Sequence, residues 1–225
     1  MHCSRVLLLL FSTSLLVFAA GEVQAGLVVT HISTQEQLDD LIDEIAFVGE
    51  GRIGRSGYFK ASVPYELGLG TDPDDLERKK KYTWSNGEAV RFELSYDAAE
   101  NEVVFLVGGR KLTFQPTRGG EATDIAVRAY AEKGGCQLEL YDLVLDGKDV
   151  GEELAVEGPS RSLDILRIQG GSPSGGFTLS GTVVMRWSGK KPVDEELAFH
   201  VGAFKSVRPT GTETTSWGEI KSKFR

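Results

Sequence analysis

From residue 88 onward, apolar side chains recur at every second position within a series of short segments, and this rhythm decides most of what the chain can fold into. Successive side chains of a β-strand point to opposite faces, so a period of two produces one dry face and one wet face. Across residues 88–97, Val90, Phe92, Leu94 and Tyr96 alternate with Arg91, Glu93 and Ser95. A turn at 98–101 leads into Val103, Phe105 and Val107, which predicts a hairpin, and Gly108-Gly109 then turns the chain into 111–114. Further strands are predicted at 123–132, 137–145, 162–168, 177–187 and 197–204, with Gly134-Gly135 and Asp146-Gly147 as turns. Earlier, 58–63 and 65–69 read as strands around Pro64. Short strands separated by glycine turns, without helical patterns between them, predict an all-β fold: an antiparallel sandwich, jelly-roll-like.

One short helix is expected near the N-terminus. Thr34-Gln35-Glu36-Gln37 reads as a capping box. Behind it, Leu38, Leu41, Ile42 and Ile45 recur at helical spacing, Asp39, Asp40, Asp43 and Glu44 fill the other face, and Gly49 and Gly51 read as its end. The acidic face is that of a solvated helix.

Residues 1–25 are predicted to be a cleaved signal peptide. Arg5 precedes a mostly apolar run over 6–20, and Val23-Gln24-Ala25 presents small or apolar residues at −3 and −1; cleavage after Ala20 is the alternative. The run is short for a membrane span, so the mature chain is expected to lack a transmembrane anchor and to be secreted or at the cell surface. Cys3 leaves with the signal, and Cys136 alone cannot form an internal disulfide, so the exported fold must be held by its core. Disulfide-free export suits a bacterial surface. Formal charge is −8, which argues against nucleic acid as a partner; Arg78-Lys79-Lys80-Lys81 reads as a solvated basic loop.

The sandwich is expected over 26–204, followed by a hydroxyl-rich linker at 205–216 and a tail at 217–225. The tail sets Trp217, Ile220 and Phe224 among Lys221, Lys223 and Arg225, and is too short to hold a helix in water unaided.

The segments Tyr65-Glu66-Leu67-Gly68-Leu69-Gly70, Tyr82-Thr83-Trp84-Ser85-Asn86-Gly87 and Val90-Arg91-Phe92-Glu93-Leu94-Ser95-Tyr96-Asp97 resemble the choice-of-anchor W domain. The likeness continues through 103–109, 112–114, 124–131, 143–147, 177–187 and 197–199, covering the stretch from Tyr65 to about Phe204. The resemblance implies an exported bacterial surface domain, followed in different proteins by different C-terminal sorting signals. This sequence departs from the commonest of those signals, having neither a Pro-Glu-Pro motif nor a hydrophobic span after it. Trp217, Gly218, Ile220 and Lys221 stand in that place as a candidate sorting or recognition tail, with sorting machinery or a cell-envelope component as its partner.

Catalytic patterns are sparse. His31 and His200 are the histidines of the mature chain, and both read as ordinary strand or surface residues without local zinc ligands. No Gly-x-Ser-x-Gly motif is present. Glu93 and Asp97 share a strand face, the spacing a glycosidase pair would use, but solvated acids explain them as well. No cofactor is expected; calcium is the better candidate if one binds, because Asp146, Asp149 and Glu152 crowd oxygen ligands into one loop without matching the spaced calcium-loop pattern. Tyr82, Trp84 and Asn86 form a candidate carbohydrate platform, with packing as Trp84's competing role. The function expected is a non-enzymatic surface or extracellular protein of envelope, matrix or adhesion; the alternative is a lectin-like or polysaccharide-active protein binding glycan.

Overall fold

The computed structural model describes residues 26–53, 65–160, 162–192 and 197–207. The first strands are β1 (Val28–Ile32), β2 (Ile42–Ile53), β3 (Leu67–Gly70), β4 (Arg78–Lys80), β5 (Ala89–Asp97), β6 (Glu102–Val107) and β7 (Arg110–Phe114). After them come β8 (Asp124–Ala131), β9 (Cys136–Leu145), β10 (Lys148–Asp149), β11 (Leu154–Glu157), β12 (Leu163–Gln169), β13 (Phe177–Trp187) and β14 (Leu197–Ser206). Among the described residues a single α-helix, α1 (Gln35–Asp39), sits between β1 and β2. The strands pair antiparallel and form two seven-stranded sheets. The first runs β1-β12-β8-β14-β2-β3-β4; the second runs β10-β9-β13-β5-β6-β7, with β11 also paired to β9. The all-β sandwich expected from the two-residue rhythm is what the chain forms.

The core lies between the sheets. Phe47, Val127, Leu166 and Phe199 from the first sheet meet Phe92, Phe105, Leu140 and Leu179 from the second, all buried. Each such side chain contributes roughly 1.5–3 kcal/mol on leaving water. Cys136 opens β9 as a buried thiol and behaves there as a small apolar residue.

The expected helix is shorter than the sequence spacing implied. Its cap forms as the capping box predicts: the Gln37 N–H donates to Thr34 Oγ1 at 3.1 Å and the Ser33 N–H donates to Gln37 Oε1 at 3.0 Å. However, α1 stops at Asp39, and Ile42 and Ile45 belong to β2. Gly49 and Gly51 do not end a helix; they lie inside a central strand hydrogen-bonded to β14 on one side and β3 on the other. Packing accounts for the override. A Cβ on Gly49 would come within 2.8 Å of the Phe105 ring, and one on Gly51 within 2.2 Å of the Phe199 ring. The glycines are where two phenyl rings lie against the backbone, and those rings, not local propensity, set the conformation of the segment.

Other boundaries shift as well. β14 continues past Phe204 into the expected linker, with Lys205 opposite Glu44 and Ser206 opposite Ile42. The basic run contributes β4, an edge strand whose charges discourage edge-to-edge pairing. β1, β10 and β11 are strands additional to those expected. Residues 58–63, expected as a strand, lie outside the described residues.

Replacing Gly51 with Ala should destabilise the protein by about 1–3 kcal/mol through overpacking. In a Phe199→Leu background, where the ring is gone, the same change should cost less. Urea denaturation of the four variants checks this non-additivity, and equal costs in both backgrounds would refute the ring-on-glycine packing.

Candidate functional site

The outer face of the first sheet is where this sandwich departs from a plain alternation of buried and solvated sides. In register across the central strands, Arg128 of β8 stands beside His200 of β14, which stands beside Glu50 of β2. Glu50 and Arg52 project outward from the same strand whose Gly49 and Gly51 face the core, yet both are buried. A charge taken out of water needs partners, and each of these has them. His200 Nε2 lies 3.3 Å from Glu50 Oε1, and Arg52 Nη1 lies 3.5 Å from the same oxygen. The Arg52 guanidinium also sits 3.8 Å above the centre of the Tyr65 ring and donates through Nε to the Tyr65 carbonyl at 3.4 Å. Arg128 Nη1 donates to His200 Nδ1 at 3.0 Å, and the Arg128 guanidinium faces Tyr130 at 5.1 Å.

These contacts fix the histidine's tautomer. A guanidinium only donates, so Nδ1 must accept, and the ring's single proton is on Nε2, pointing at Glu50. Burial holds the His200 pKa below its ordinary value; the hydrogen bond to Glu50 opposes this, and Arg128 reinforces it. The imidazole is therefore neutral at pH 7, with both nitrogens engaged.

Next to this array lies a groove of about 360 Å³. Its floor is made by the small outward residues of the central strands, Ala126, Gly202 and Val48. One wall is α1 with the start of β2, through Leu38, Ile42 and Ile45; the opposite wall is the turn carrying Pro73 and Asp74. Two small apolar clusters brace these walls: Ile32, Leu38 and Ile165 under the helix, and Val48, Tyr65 and Leu76 on the other side. Acidic groups stand on both walls. Asp39 is oriented by a 2.8 Å bond from Gln35, and the Asp72 carboxylate shapes the turn by accepting the Asp74 N–H at 2.9 Å. Arg128 and His200 also line the groove. Its form is that of a small binding site, apolar over most of its surface with a few placed polar groups.

A second histidine contact ties the N-terminal strand down. His31 on β1 lies with Nδ1 3.1 Å from Asp164 Oδ1 and Nε2 3.3 Å from Glu152 Oε2. Partial burial works against its proton, but the two carboxylates outweigh that and raise its pKa above the ordinary value.

The residues that the sequence marks as candidates fall in separate places. Trp84 is buried in the core, its ring edge-on to Tyr82 at 4.7 Å and to Phe199 at 6.2 Å, with its indole N–H donating to the Arg52 carbonyl at 2.8 Å. No face of it is open for a sugar to stack on. Asn86 is exposed and clamps the end of β13, exchanging bonds with the Trp187 backbone at 2.8 and 3.0 Å. Asp146, Asp149 and Glu152 serve three separate partners: the Thr178 N–H, the Gly151 N–H and His31. Among the described residues, no group of three or more His, Cys, Asp or Glu side chains is gathered to hold a metal ion. Trp217, Gly218, Ile220 and Lys221 lie outside the described residues.

The array of Glu50, Arg52, Arg128 and His200 was not legible as a site from spacing. His200 does point outward, as alternation dictates, but into ionic partners supplied by neighbouring strands. One local signal was present: Gly49-Glu50-Gly51-Arg52 sets charges against glycines at strand period, an improbable pattern for a helix end. In comparisons with known proteins, the chain matches no family model and no curated protein.

His31 and His200 are both accessible to proton NMR titration. His31 should titrate above its ordinary value near 6.5 and His200 below it. The His31 bridge is then fully present below pH 6.5 and lost as pH rises through the raised value, because the folded chain alone keeps that proton. His200 works in the opposite direction: its burial favours folding above pH 6.5 and loses that contribution as pH falls through the depressed value. Glu50→Gln should depress the His200 titration further by removing the carboxylate that favours the charged ring. Two unshifted titrations would contradict the array.

Proposed function

We propose that this is an exported, non-enzymatic protein of the cell surface or extracellular space, in envelope, matrix or adhesion, that engages its partner through the groove on the outer face of its first sheet. The observation that carries the reading is the engagement of His200. A general base needs a nitrogen free to take a substrate proton; here one ring nitrogen accepts from Arg128 and the other faces Glu50. The groove beside it is shaped to hold something, and the charged groups at its side are fixed on one another.

Export is supported by the apolar run and the Val23-Gln24-Ala25 site. The likeness of 65–204 to choice-of-anchor W domains belongs to the same reading, as does the interpretation of residues 217–225 as a sorting or recognition tail. Among the described residues no helix is long and apolar enough to cross a membrane.

Fractionating the native host into envelope and medium, with intact-mass analysis, should yield a product beginning at Gly26. The purified product should hydrolyse nothing on a polysaccharide panel. A product that keeps residues 1–25 in the membrane, or turnover of any glycan, would overturn the proposal.

A further inference from the structure

β14 ends at Ser206, and the Val207 N–H donates to the Leu41 carbonyl at 2.9 Å. Leu41 donates its N–H to the Leu38 carbonyl at 3.0 Å and precedes Ile42, and Leu38 and Ile42, with Phe204, line the groove. Val207, the last described residue, is therefore held beside residues that line the groove. Trp217 follows Val207 by ten residue steps, enough to reach roughly 33 Å when extended. The sequence from Trp217 to Arg225 is amphipathic. Trp217, Ile220 and Phe224 fall at i, i+3 and i+7, the spacing with which one helical face is laid into an apolar groove. Lys221, Lys223 and Arg225 accompany them, and the groove offers Asp39 on one wall and Asp74 on the other.

We propose that the groove is the docking site of the chain's own residues 217–225. The apolar side chains of the segment enter between α1 and the turn at Pro73, over the small floor residues Ala126 and Gly202. Its cations meet the carboxylates on the walls. Docking makes the groove and the tail alternatives to any outside partner: a ligand of the groove releases the tail, and a receptor of the tail opens the groove. The inference rests on the groove's being a binding surface, and it fails or stands separately from export and from the absence of hydrolysis.

The test is hydrogen exchange at α1 and at the 72–75 turn, on the chain from Gly26 to Arg225. Replacing Trp217, Ile220 and Phe224 together with Ser should speed exchange there by about five-fold or more, while the central strands stay protected. Reversing the walls with Asp39→Lys and Asp74→Lys should do the same. Combining that reversal with Lys221→Glu and Lys223→Glu should restore slow exchange, which a general loss of stability would not do. Exchange unaffected by the tail variant, or no restoration by the charge swap, would overturn the proposal. So would protection that grows with protein concentration together with a dimer in sedimentation, since the occupant would then be a second copy's tail.

Discussion

The structure depends on how one strand divides its two faces. Across Gly49-Glu50-Gly51-Arg52, β2 presents only hydrogen atoms to the core, where the rings of Phe105 and Phe199 lie against the backbone, and two long charged side chains to the other side. The sheets meet closely at that point because nothing projects from the glycines. Close packing on one face and ionic burial on the other come from the same four residues. Shifting the strand by one residue would drive Glu50 and Arg52 into the phenyl rings and leave the glycines facing charged neighbours, so the register is fixed from both sides. A buried charge deprived of its partner costs about 3–5 kcal/mol, and this is why Glu50, Arg52, Arg128 and His200 hold the central strands in a single alignment.

The same arrangement creates the concavity. An outer face carrying large residues throughout would leave no room between α1 and the turn at Pro73. Ala126 and Gly202 keep the floor low, while Leu38 and Leu76 anchor the walls. The short helix, a modest element by length, matters because its Asp39 side faces the groove and its Leu38 side is packed on β12 through Ile165. His200 is tied into this array: its tautomer is set by an arginine, its Nε2–H points at a glutamate, and its pKa is depressed chiefly by burial.

How much of this was legible in the sequence depends on which forces are local. Alternation in β5 and β6 located those strands closely, because each has one buried and one wetter face. The cap at Thr34 was also readable, being a contact among near neighbours. β2 was not, because a central strand covered on both faces loses its alternation, and Leu38, Leu41, Ile42 and Ile45 then mimic helical spacing. Trp84 became a core residue through Arg52 and Phe199, partners far away in sequence. The candidate site was hidden for the same reason: His200, Arg128 and Glu50 are brought together only by the strand order β8-β14-β2, which no motif encodes.

The most direct check of this division of faces is an NMR measurement on the folded protein. If β2 runs as described, the Gly49 and Gly51 Hα resonances are pulled upfield by the rings above them. They show nuclear Overhauser contacts to Phe105 and Phe199 respectively, and carbon shifts from Ile42 to Ile53 are those of a strand. Helical carbon shifts through that segment, with both glycines at ordinary positions and without contacts to either ring, would contradict the account.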